Sequence, residues 1–137
     1  MGAQEFDFAT GKVVDTAARQ LMILSECEES CELVEAYARG NRYKFLGKTA
    51  DLRQALEWVR KFKQGLFFLD ADSKGVDALP LIKVLTEKAP LFKVILMSQT
   101  PTKALLSEGR EAGAAGFLVK PLKIDVMEKT IKQIKPR

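Results

Sequence analysis

Leu66-Phe67-Phe68-Leu69-Asp70 is a short, unbroken apolar run that ends on one chemically useful side chain. Two other runs are built the same way: Val94-Ile95-Leu96-Met97 leads into Ser98, and Phe117-Leu118-Val119 into Lys120. A fourth, Leu21-Met22-Ile23-Leu24, ends on Ser25-Glu26. Such runs, separated by helical patterns, are expected of strands buried on both faces of a parallel sheet, where neither face meets water. Ligand chemistry in an open parallel sheet collects just outside the carboxyl ends of the strands. One edge of one sheet is therefore expected to gather two carboxylates, a hydroxyl and an ammonium. That set suits a divalent cation and a phosphoryl group.

Working outward from these runs gives five strand-then-helix units. Strand 21–24 leads to a helix near 28–39, stopped by Gly40-Asn41. Strand 43–46 leads, with Thr49 as N-cap, to a helix near 50–62 whose inward stripe is Leu52, Ala55, Leu56 and Val59. Strand 66–69 precedes a helix near 77–88 that ends before Pro90, and strand 93–97 a helix near 102–112 closed by Gly113. Strand 115–119 leads past Pro121 to a last helix near 123–135. Alternation of this kind predicts an α/β fold, a parallel sheet with helices on both faces. Ahead of these units, Phe6, Phe8, Val13 and Val14 around Thr10-Gly11 suit either a small hairpin or a poorly ordered leader.

The totals limit the function classes. A chain of 137 residues reads as one domain, large enough to bury roughly two-thirds of the surface its unfolded form exposes. No apolar stretch approaches the ~20 residues needed to cross a bilayer, and Met1 to Arg19 has no signal-peptide pattern. Histidine is absent, which removes the commonest general base and the commonest zinc ligand. Cys27 and Cys31 lack partner ligands and read as free thiols of a reducing cytoplasm. The net charge is +4, with much of the excess in Lys123, Lys129, Lys132, Lys135 and Arg137. In that helix Ile124, Met127, Ile131 and Ile134 recur at helical spacing, so the lysines form a solvated outer face. No aromatic residue interleaves them, which argues against direct nucleic acid binding.

The strand-end residues then have separate chemical jobs. A carboxylate can accept a phosphoryl group to form an acyl phosphate, but both partners are anions. At ~5 Å, with an effective dielectric near 20, two unit charges repel by about 3 kcal/mol. A magnesium ion held by Glu26, Asp70 and a backbone carbonyl of the Ala71-Asp72 region (Asp72 in particular) removes that penalty. Lys120 then neutralises one phosphoryl oxygen and Ser98 hydrogen-bonds another.

Over roughly residues 20 to 135 the chain resembles the receiver domain of two-component response regulators. The most specific stretches are FFLDADSKGVDAL at 67–79 and AGAAGFLVKPL at 112–122. The resemblance implies a flavodoxin-like sheet of strand order 2-1-3-4-5, with residues 1–19 as an N-terminal extension and 20–137 as the receiver domain. It implies Asp70 as phosphoacceptor from a histidine kinase or phosphotransfer protein, Ser98 and Lys120 as its catalytic partners, and weakly bound Mg2+. It makes Ser98 and Phe117 the switch, and the fourth helix, fifth strand and fifth helix the face for a downstream protein. At most, self-phosphorylation and slow self-dephosphorylation are implied, in a cytoplasmic signalling domain rather than an enzyme. No output domain follows Arg137, which leaves a single-domain regulator or a piece of a longer protein.

The family pattern is departed from at four places. Ser25 stands where one acid of a pair is usual, which should weaken magnesium binding. Lys74 replaces a usual proline, Ala78 a usual glycine, and Gln99 a small residue whose replacement narrows access to Asp70. A pseudo-receiver that works by protein contact alone is the main alternative. LDAD at 69–72 also looks like the first motif of haloacid-dehalogenase-type phosphatases, but the nucleophile there usually follows the first strand of the core. A flavin carrier is disfavoured by the acidic run Ser25-Glu26-Cys27-Glu28-Glu29.

Overall fold

The computed structural model describes the backbone of residues 4–7 and 12–15 and the full structure of residues 19–134. Strand β1 (Gln4–Asp7) pairs antiparallel with β2 (Lys12–Asp15), with Phe6 opposite Val13. The pairing agrees with the hairpin alternative; Phe8, Thr10 and Gly11 lie outside the described residues, as do Lys135 and Arg137. The rest alternates: β3 (Gln20–Leu24), α1 (Glu28–Gly40), β4 (Lys44–Thr49), α2 (Leu52–Phe62), β5 (Gly65–Asp70) and α3 (Ala78–Lys88). Then follow β6 (Phe92–Ser98), α4 (Lys103–Ala112), β7 (Gly116–Val119) and α5 (Ile124–Gln133). The five later strands form one sheet in the order β4-β3-β5-β6-β7, all neighbours parallel, which is the expected 2-1-3-4-5 arrangement.

Burial explains why the runs were unbroken. Every residue of β3 and β5 is buried, and all of β6 but Lys93. Alternate residues supply the two cores. Leu21, Ile23, Phe68, Ile95 and Met97 meet Val34, Tyr37, Met127 and Ile131 of α1 and α5. Met22, Leu24, Phe67, Leu69, Val94 and Leu96 meet Ala55, Val59, Ile82 and Leu85 of α2 and α3, with Leu105 of α4 packed alongside. The edge strands β4 and β7 are only partly covered.

Two local expectations need correction. Strand β4 continues to Thr49, so Asp51 is the N-cap of α2 and its carboxylate accepts the Arg53 N–H at 2.9 Å; Thr49 Oγ1 instead accepts the Asp51 N–H. Helix α1 ends at Gly40 with Asn41 as its C-cap, as expected, and the left-handed residue that follows is Arg42 at φ 62°. Ile124 begins α5 on the surface, 42% exposed, while Met127 and Ile131 carry the buried stripe. Gly113 does close α4 in a left-handed conformation, φ 120°. There Thr86 of α3 sits so close that a Cβ would lie 2.1 Å from its Oγ1. No helix among the described residues is long and apolar enough to cross a membrane.

Candidate functional site

From β3 the chain crosses outward to β4, then returns past β3 to form β5. That reversal opens a crevice at the carboxyl ends of β3 and β5. Leu24 is in register with Leu69, so Ser25 emerges beside Asp70. On the other side Asp70 pairs with Met97, which puts Ser98 one residue beyond, and Ser98 pairs with Val119, which precedes Lys120. Register alone thus collects Ser25, Asp70, Ser98 and Lys120 at one edge.

Asp70 is 2% exposed, and both of its carboxylate oxygens are engaged. Oδ2 accepts the Ser25 hydroxyl at 2.6 Å and the Lys120 ammonium at 2.9 Å; Oδ1 accepts the Asp72 N–H at 2.9 Å. Lys120 reaches Asp70 from β7 across the end of β6, and its side chain is 13% exposed. A buried carboxylate would be costly without such partners, since its charge has left water. The Ser25 hydroxyl also accepts the Cys27 N–H at 2.9 Å, which ties the start of α1 to the site. Cys27 and Cys31 are free, as expected.

Asp72 has a larger part than its sequence position suggested. Its Oδ2 lies 3.1 Å from Lys120 Nζ and accepts the Gln99 N–H at 2.8 Å; its Oδ1 accepts the Ser98 hydroxyl at 3.3 Å. Ser98 is therefore drawn to Asp72, and its own Oγ accepts the Thr100 N–H at 3.2 Å. Burial pushes the Asp72 carboxyl upward, but the Gln99 N–H, the Lys120 ammonium and the Ser98 hydroxyl outweigh it and hold the group below its ordinary value. Burial likewise pulls the Lys120 ammonium down, and its contacts to Asp70 and Asp72 outweigh that and hold it above. Sequence reading gave Asp72 a backbone carbonyl for the cation and did not foresee these side-chain partners, which come from the ends of β6 and β7.

Glu26 is exposed, and its Oε1 accepts the Lys74 N–H at 3.3 Å, linking the loop after β3 to the loop after β5. Among the described residues no three acidic, cysteine or histidine side chains form a group able to hold a metal ion. A cation at this edge would rest on the Glu26 and Asp70 carboxylates, the Asp72 carbonyl and water. An all-oxygen set that leaves several waters in place fits magnesium. Phe117 is half-buried on the α4 side of the sheet. Leu106 of α4, Val119 of β7, and Ile124 and Val126 of α5 are 41%, 53%, 42% and 46% exposed.

Comparison with known proteins bears out the fold. Residues 21–132 match the family described as the response regulator receiver domain. The transcriptional regulatory protein ZraR of Escherichia coli (strain K12) is 25% identical over 113 residues, which are 82% of this chain and 25% of that protein. The chain thus spans about a quarter of the length of that relative. Sporulation initiation phosphotransferase F of Bacillus subtilis is 29% identical over 83 residues, 61% of this chain and 67% of that one. In structure, a response regulator from Thermotoga maritima superposes with a TM-score of 0.77 at 24% identity, covering 85% of this chain and 97% of that one.

Proposed function

Because the chain belongs to the response regulator receiver family, we propose that Asp70 takes a phosphoryl group from a histidine kinase or phosphotransfer protein, and that the domain answers by reshaping a protein-binding surface. The observation that carries this reading is the Lys120 ammonium, 2.9 Å from Asp70 Oδ2 on a carboxylate 2% exposed. A receiver is a signalling domain, so the expected chemistry is one transfer per signal, with slow self-dephosphorylation. The reading implies a cytoplasmic location, where the phosphodonor is made.

In the transfer a carboxylate oxygen of Asp70 attacks phosphorus and forms the acyl phosphate bond. The bond from phosphorus to the donor's imidazole nitrogen breaks, and its electron pair leaves with the imidazole. Negative charge moves outward from the carboxylate to the phosphoryl oxygens. Lys120 follows that charge with little movement because it already spans the site. Ser98 is available for a second phosphoryl oxygen once it turns from Asp72. Magnesium, when held by Glu26, Asp70 and the Asp72 carbonyl, supplies the positive charge that lets the two anions meet.

Intact-mass measurement after incubation with acetyl phosphate and magnesium tests the reading. One added phosphoryl mass on the native chain, absent from Asp70→Asn, is the expected result. Equal labelling of that variant rules out Asp70. A native chain that takes no label favours the second reading, a protein-contact module insensitive to phosphate. One observation favours that alternative: Ser25 brings a neutral hydroxyl, and no second carboxylate, against Asp70 at 2.6 Å.

A further inference from the structure

Three hydrogen-bond donors from two distant parts of the chain converge on Asp72. They are the Ser98 hydroxyl at 3.3 Å, the Gln99 N–H at 2.8 Å and the Lys120 ammonium at 3.1 Å. None belongs to the loop that carries Asp72. A hydroxyl, a main-chain N–H and an ammonium grouped around a pair of oxygens form a seat for an oxyanion. Two of them, Ser98 and Lys120, are the groups assigned above to the phosphoryl oxygens. We propose that the Asp72 carboxylate is a built-in occupant of the phosphoryl seat, and that it must swing out before a phosphoryl group on Asp70 can take these donors. The inference rests on the phosphoacceptor reading of Asp70.

The two carboxylates differ in the way this role demands. Both are held on both oxygens, but Asp70 is 2% exposed, whereas the Asp72 side chain is 34% exposed and faces solvent. Asp72 also donates its main-chain N–H to Asp70 Oδ1, so the backbone can stay in place while the side chain rotates about its own bond to the main chain. Adding a phosphoryl group to Asp70 sets two anions, that group and the Asp72 carboxylate, around one ammonium. Of the two, only the Asp72 carboxylate is free to turn away and recover hydration, so it is the one expelled. In the resting chain Ser98 and Gln99 already hold an anion, which makes Asp72 a brake on phosphoryl entry.

The test compares the native chain with Asp72→Asn and Asp72→Ala at saturating magnesium, so that cation binding does not limit either variant. Acetyl phosphate is the donor; its phosphorus–oxygen bond breaks and acetate leaves as Asp70 is labelled. Losing one net charge-assisted hydrogen bond from the competing occupant corresponds to at least about tenfold faster labelling. Both variants should show it, and adding Asp70→Asn to either should abolish the label. Without any donor, the Gln99 amide resonance should move in both variants. Labelling that is unchanged or slower in both, while the native chain labels, overturns the brake and leaves the acceptor reading intact. If no form takes label, the acceptor reading falls and the brake with it.

Discussion

The Ser25 hydroxyl donates a 2.6 Å hydrogen bond to Asp70 Oδ2, from the strand end where the family pattern has an acid. A neutral donor in that place satisfies the buried carboxylate without metal. It also supplies no oxygen charge to a cation. Ser25→Asp should therefore tighten magnesium binding about tenfold, measured by calorimetric titration, since ligand charge sets affinity at such sites. Without magnesium the same variant should lose about 1–3 kcal/mol of stability, because two carboxylates then face each other across a lost hydrogen bond. Unchanged affinity would mean that position 25 does not face the cation site.

Stability should depend on pH at the two ends of the scale and little in between. Burial lowers the Lys120 ammonium, but its bonds to Asp70 and Asp72 more than offset this and raise it above 10.5. Between 10.5 and that raised value the native state holds a proton the unfolded chain has lost, so stability falls as pH rises through it. The contribution is fully present below 10.5. Asp72 is held below 3.8, so its contribution is present above 3.8 and is lost as pH falls through the depressed value. With no histidine in the chain, a plateau through neutral pH is expected, ended on the alkaline side by the Cys27 thiol, which a Ser30 hydrogen bond holds below 9.0. Urea unfolding above pH 10 should fall more steeply for the native chain than for Lys120→Met, and parallel curves would contradict the linkage.

Gly113→Ala should destabilise by about 2–4 kcal/mol, since a Cβ there meets Thr86 in a left-handed conformation. Thr86 has little room to yield, because its Oγ1 donates to the Ile82 carbonyl at 2.8 Å. The added Thr86→Ala substitution should recover part of the loss in urea titrations. No recovery would mean that backbone strain alone sets the cost.

A phosphoryl mimic such as beryllofluoride with magnesium should shift amide resonances across residues 98–122, because Ser98 leaves Asp72 for the new oxyanion and frees the space behind it. Phe117, half-buried against the α4 side, is the ring positioned to respond. A partner discriminating the two states by ~1–3 kcal/mol makes a working switch. If the mimic binds at Asp70 and those resonances stay in place, the output does not pass through this face.

Leu66–Leu69, Val94–Met97 and Leu21–Leu24 carried the sheet in plain view, because burial on both faces leaves no polar position in a strand. The strand-end residues Asp70, Ser98 and Lys120 were legible for the same reason: an apolar run stops where the sheet stops. Helix faces were read well where packing is regular, as at Ala55 and Val59, and poorly at ends, as at Thr49 and Ile124. Helix termini depend on how far the neighbouring strand runs on, and a hydrophobic period does not encode that. The partnerships inside the site were also beyond a linear reading. Which carboxylate holds Ser98, and whether Lys120 serves one acid or two, is decided by the register of β5, β6 and β7. Local sequence thus determined which residues reach the edge of the sheet. Tertiary structure decided which of them touch, because those distances are set by strands far apart in the chain.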